Sequence, residues 1–298
     1  MKIILAGGSG FIGRFLEKRF NQDGHTTIVL TRNPKNDSDV YWDGVTSGEW
    51  VKHLNGADVL INMAGKSVDC RYTAKNKQLI YDSRLKSTQV LFDAINTMNH
   101  PPKVWLNSST ATIYRHAEDR PMDEEKGEIG TGFSVDIATQ WESTFYQSTL
   151  PKTRRIALRT AIVLGTEGGA LLPLKRLVKY GLGGNQGSGN QMFSWIHQED
   201  VYQSILFLIR NEQLKGSFNL SSPNPINNMT MTNALRRVLK MPFGLPSPIW
   251  LLNFGAVLIL TETELVLKSR WVLPKRLVQN GYQFKYSTIQ NALESLMH

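Results

Sequence analysis

The chain opens on a run that few folds can accommodate, Lys2-Ile3-Ile4-Leu5-Ala6-Gly7-Gly8-Ser9-Gly10-Phe11-Ile12-Gly13. Residues 3–6 are a short apolar stretch with β-branched members, the pattern of a strand buried on both faces. From Phe11 the apolar residues fall at helical spacing, with Phe15, Leu16 and Phe20 following. Between strand and helix lie Gly7, Gly10 and Gly13, each with a physical role. Gly7 permits a tight turn, Gly10 lets the backbone approach a pyrophosphate, and Gly13 allows the helix to pack closely on the strand. Unpaired N–H groups and the helix dipole then favour phosphate charge at this point. A dinucleotide site is expected here, built from Gly7, Ser9, Gly10, Phe11, Ile12 and Gly13.

The next strand is expected at residues 25–31 and runs straight into Arg32-Asn33-Pro34. In dinucleotide folds the end of the second strand faces the adenosine ribose, where an acidic residue holds the 2′-hydroxyl of NAD. Here the chain supplies Arg32, nineteen residues past Gly13, and no acid. A guanidinium can clamp a 2′-phosphate, so Thr31, Arg32 and Asn33 are read as an NADP-selecting corner. A strand at 58–63 ends in Ala64-Gly65. The small residues of Met63-Ala64-Gly65 would let the cofactor lie across the sheet edge.

Further strands are expected at 41–43, 104–108 and, as one continuous strand, 155–163. Helices are expected at 73–96 and 134–147. Strands alternating with helical crossovers give an α/β fold, a Rossmann-type doubly wound parallel sheet. After about residue 165 glycines crowd around a helix at 171–180. A helix at 200–210, a strand at 217–220 and a helix ending near Lys240 follow. Residues 1–165 are read as the NADP-binding domain, with later segments returning to it. Residues 166–298 are read as a smaller C-terminal, substrate-facing lobe that includes a helical module over 242–298, entered through Pro242, Pro246 and Pro248.

Composition removes several classes of function. The net charge of +9 invites a nucleic-acid reading, but the basic residues form no long run and no nucleic-acid-binding motif is present. A solvated basic surface, or attraction to a polyanionic cofactor, accounts for it. A single cysteine, Cys70, rules out an intrachain disulfide framework and suits a reducing, cytoplasmic setting. No Cys/His cluster has zinc spacing. The chain enters a strand at once, so no signal peptide is expected. The apolar stretch 249–260 is too short to cross a bilayer and is read as a buried or interface helix.

Taken together these blocks resemble a known family. Gly7-x-x-Gly10-x-x-Gly13, Asn62-Met63-Ala64-Gly65 and Ser108-Ser109-Thr110-Ala111-Thr112-Ile113-Tyr114 are similar to the extended short-chain dehydrogenase/reductases, which include sugar-nucleotide epimerases and dehydratases. Arg71-Tyr72-Thr73, Ser83-Arg84, Trp141-Glu142, Ser194-Trp195-Ile196-His197 and Val272-Leu273-Pro274-Lys275-Arg276-Leu277 resemble an atypical branch, the epimerase-family proteins, with a C-terminal module of unassigned function. The resemblance implies NADP(H) as cofactor, Arg84 and Ser108 among its contacts, and Thr110 as the hydroxyl that holds a reacting oxygen. It also implies a catalytic Tyr-x-x-x-Lys pair on the helix after strand five. Those positions fall at about Ser134 and Ala138, and none of the nine tyrosines has a lysine four residues later. Tyr114, His197 or Asp136 would then have to supply the proton. Two readings stay open: an NADP(H)-dependent oxidoreductase or epimerase with an altered acid/base group, acting on a small molecule, and a non-catalytic NADP(H)-binding regulator.

Overall fold

The computed structural model describes residues 1–250, 262 and 264–297. Seven parallel strands form the central sheet: β1 (Lys2–Ala6), β2 (Thr26–Thr31), β3 (Asp39–Tyr41), β4 (Val59–Asn62), β5 (Val104–Thr110), β6 (Arg154–Thr160) and β10 (Gly216–Leu220). Their spatial order is β10-β6-β5-β4-β1-β2-β3. The chain moves outward from β1 in one direction, then returns to place β4 on its other side. That reversal opens a crevice beyond the carboxyl ends of β1 and β4, the usual ligand position in open α/β sheets.

Alternation along the strands sorts the core into two layers. Ile3 and Leu5 face α1 (Phe11–Gln22) and α6 (Gln198–Arg210), packing with Leu16, Phe20 and Ile205. Ile4 and Ala6 face the opposite layer, where α3 (Ala74–Asn96) and α4 (Phe133–Tyr146) contribute Leu91 and Phe145 against Trp105. A four-residue helix, α2 (Val51–Leu54), precedes β4.

The run expected as one strand over 155–163 is two. β6 ends at Thr160, and Ala161 donates its N–H to the Leu220 carbonyl where β10 also ends. Beyond it β7 (Ile162–Leu164) leaves the sheet and pairs with β9 (Trp195–His197). The third strand likewise sits two residues earlier than expected, because the Trp42 ring is needed inside, against Trp50.

Around β7 and β9 a second core forms from α5 (Leu171–Lys179), α7 (Asn228–Val238) and, near the carboxyl end, α10 (Ile289–Ser295). A two-stranded ladder of β8 (Met192–Phe193) with β11 (Ile226–Asn227) borders it. The segment from α6 to β10 returns to the main sheet. Two short helices, α8 (Glu264–Leu267) and α9 (Lys275–Gln279), belong to the C-terminal segment. Beyond Trp250, the apolar stretch 249–260 lies outside the described residues. Among the described residues no helix is long and apolar enough to cross a membrane.

Candidate functional site

The glycine turn sits at the crevice. Gly7 has φ +71°, a conformation side chains rarely adopt, and a Cβ there would meet the Ala64 Cα at 2.6 Å. Strand β4 and the turn therefore close on each other only through glycine. A Cβ on Gly13 would lie 2.2 Å from the Gly8 carbonyl oxygen, so α1 could not approach its own turn. Gly10 differs, since a Cβ would meet nothing within 4 Å. It caps α1 without a side-chain hydrogen bond, leaving first-turn N–H donors for an incoming group.

Beyond the turn lies a cavity of about 480 Å³ lined by Gly7, Gly10, Phe11, Ile12 and Gly13. The strand ends add Met63, Gly65, Ser108 and Thr110, and the helical layer adds Arg84, Ser134 and Trp141. A buried polar lattice fixes these strand ends. Asn62 Nδ2 donates to Asn107 Oδ1 at 2.8 Å and to Thr88 Oγ1 at 3.2 Å, while Asn62 Oδ1 accepts the Ala64 N–H. Trp141 Nε1 donates to the same Thr88 hydroxyl. Arg84 lies over the Trp141 ring and donates to the Lys66 and Ile80 carbonyls. Burial pulls its pKa down to about 10, leaving it charged at neutral pH.

Ser9, Thr31, Arg32 and Asn33 stand outside the cavity, at the ends of the glycine turn and β2. Thr31 donates to the Ser9 hydroxyl at 3.1 Å and accepts from the Asn33 N–H at 3.3 Å. Arg32 is exposed and, among the described residues, makes no ion pair. Ala64 packs beneath Gly7.

Tyr114 and His197, expected as substitute proton donors, are spent elsewhere. The Tyr114 ring is 2% exposed. Its hydroxyl donates to Asn219 Oδ1 at 3.0 Å and accepts from Arg159, which is itself paired bidentately with Glu142. His197 is 4% exposed and caps α6, its Nδ1 accepting the Glu199 N–H at 3.0 Å. Its Nε2 bonds to the Ser295 hydroxyl, its ring stacks on Tyr286 at 3.9 Å, and burial drives its pKa down to about 4. Neither is among the residues that line the cavity. Asp136 is exposed on α4. Thr110 does line the cavity, its hydroxyl accepting the Thr112 N–H at 3.1 Å.

Tyr72, Ser67, Ser109, Thr112 and Thr160 also line the cavity. Ser134 donates to Glu264 Oε2 at 3.3 Å, and burial raises the pKa of the Tyr72 phenol. Tyr72 stands in a loop just before the N-cap Thr73, a position without helical or strand periodicity to signal it.

Comparison with known proteins agrees with this architecture. Residues 3–136 match the profile of the NAD dependent epimerase/dehydratase family, and residues 248–296 match a domain of unknown function, DUF1731. An epimerase family protein of Staphylococcus aureus (strain N315) is 36% identical over 299 residues, covering 99% of this chain and 98% of its own length. The chain belongs to the NAD-dependent epimerase/dehydratase family. Another epimerase-family relative, from Staphylococcus haemolyticus, is 33% identical over 300 residues, or 99% of each chain. Among solved structures, the human epimerase family protein SDR39U1, crystallised with NADPH, superposes with a TM-score of 0.89 at 27% identity, covering 99% of both chains. A nucleoside-diphosphate sugar epimerase from Corynebacterium glutamicum gives 0.81 at 27% identity, over 99% of this chain and 58% of that one. The epimerase-family fold thus extends through the C-terminal domain as well as the sheet.

Proposed function

We propose that this epimerase-family chain binds NADP(H) along the glycine turn. It uses the cofactor as an oxidoreductase or epimerase on a small molecule held in the cavity, with an acid/base group other than the Tyr-x-x-x-Lys pair. The observation that carries the cofactor choice is Arg32, exposed at the end of β2 and without an ion-pair partner among the described residues. A 2′-phosphate beside it would gain charge-assisted hydrogen bonds that a 2′-hydroxyl cannot. The open approach at Gly10 and the side-chain-free start of α1 fit a pyrophosphate. The NADPH held by the human relative supports the same reading.

Titration calorimetry with NADPH and NADH tests it. NADPH should bind more tightly, and Arg32→Ala should weaken NADPH by roughly ten- to a hundredfold while leaving NADH nearly unchanged. Equal binding of both cofactors by the unaltered protein would overturn the NADP assignment.

Ser134 and Ala138, at the positions of the missing pair, motivate a second reading, a non-catalytic NADP(H)-dependent regulator. That reading predicts a partner whose affinity follows the NADP+/NADPH ratio. A partner indifferent to that ratio in pull-down titrations counts against it.

A further inference from the structure

Among the described residues, only two titratable side chains line the cavity, Tyr72 and Arg84. Arg84 stays charged at neutral pH and has carbonyl partners, so it cannot exchange a proton with a substrate. The remaining polar lining is made of serine and threonine hydroxyls, which relay protons but do not supply them. Tyr72 is half-buried, its ring held edge-on against Phe133 at 4.8 Å. Ser134 shares the cavity wall with Tyr72 and donates to Glu264 Oε2 at 3.3 Å. Glu264 also lines a second cavity, together with Arg115, His116 and Thr131. Lys268 stands 4.0 Å from Glu264 and donates to the Thr112 carbonyl, tying α8 to the cavity wall. Glu264 therefore stands between the Ser134 hydroxyl of the cavity wall and a second cavity.

We propose that Tyr72 is the proton donor of this site, and that Ser134 and Glu264, the latter supplied by the C-terminal domain, return its proton from solvent. The inference rests on the NADP(H) reading above and gives the C-terminal domain a role in the chemistry. In the reducing direction a substrate carbonyl carbon accepts hydride from the reduced dinucleotide, which is oxidised to NADP+. The carbonyl oxygen takes the Tyr72 proton and becomes the hydroxyl of the alcohol product. The Glu264 carboxylate takes a proton from solvent and passes it to Ser134 as the Ser134 hydroxyl reprotonates the Tyr72 phenolate. Burial, aided by the nearby Glu264 carboxylate, raises the Tyr72 pKa. The phenol is thus protonated at neutral pH, the form a donor requires.

The test follows Tyr72 directly, without any substrate. Protein labelled with ¹³Cζ-tyrosine is titrated by NMR alone, with NADPH and with NADP+, and Tyr72→Phe assigns the resonance. Calorimetry on the same samples reports cofactor binding. If Tyr72 faces the nicotinamide, the cationic ring of NADP+ lowers its titration midpoint by roughly one pH unit or more relative to the NADPH complex. Ser134→Ala should move that midpoint up and Glu264→Gln should move it down. Both cofactors binding while Tyr72 titrates identically in the two complexes would overturn the assignment. Midpoints indifferent to both substitutions would overturn the relay. Absence of cofactor binding would instead remove the NADP(H) reading, and this inference with it.

Discussion

Gly10 and Gly13 stand one helical turn apart and answer to different neighbours. A methyl group on Gly13 would press on the Gly8 carbonyl oxygen, whereas one on Gly10 would enter open space. Gly13→Ala should therefore strain the turn itself and lower folding stability by about 1–3 kcal/mol, the usual cost of overpacking. Gly10→Ala should leave the urea midpoint within about 1 kcal/mol of wild type. It should nonetheless weaken NADPH at least about tenfold, since the methyl occupies the pyrophosphate's approach. Urea unfolding and calorimetry on the two variants separate the effects. Undiminished NADPH affinity in Gly10→Ala would mean that no phosphate rests on this turn.

The start of α6 shows what a histidine does when a fold uses it as a cap. His197 is neutral in the native state because burial, aided by the Lys285 charge, holds its pKa near 4 against 6.5 in an unfolded chain. Between those values the unfolded chain takes up a proton that the native ring refuses. The stabilising contribution is therefore whole above pH 6.5 and is lost as pH falls toward 4, by about 3 kcal/mol in all. Asparagine can still accept the Glu199 N–H. Between pH 7 and pH 5, wild type should thus lose about 2 kcal/mol more than His197→Asn by urea unfolding. Equal losses would show that the ring is not buried neutral. The same residue shows where legibility ended. Period and glycine spacing marked β1, the turn, α1 and β4, because those depend on neighbours in sequence. The break between β6 and β7 carries no proline or glycine, since it is caused by where β10 stops. His197 and Tyr114 read as reactive groups because sequence does not reveal burial. Tyr72, Ser134 and Glu264 do not read as one cluster because only tertiary packing brings positions so far apart in sequence together.

Across the whole molecule, the C-terminal segment is woven into the sheet domain and is no appendage. Ser194 donates to the Arg270 carbonyl and accepts the Val272 N–H, and Asn219 of β10 donates to the Leu273 carbonyl. Arg276 lies 3.9 Å over the Phe218 ring and donates to the Ser217 and Lys215 carbonyls. Asp200, fully buried on α6, is the deepest of these ties. Its carboxylate accepts the backbone N–H groups of Lys285 and Tyr286 at 2.8 and 2.9 Å and lies 3.3 Å from the Tyr282 hydroxyl. Asp200→Ala would strand these donors in the interior, so the change should cost about 3 kcal/mol or more. Because the tail and the sheet share one core, urea unfolding of this variant should remain a single transition at a lower midpoint. A separate early transition of the tail would mean that the carboxylate alone holds the segment. A loss below about 1 kcal/mol would mean that packing of Leu277 and Tyr282 suffices without it.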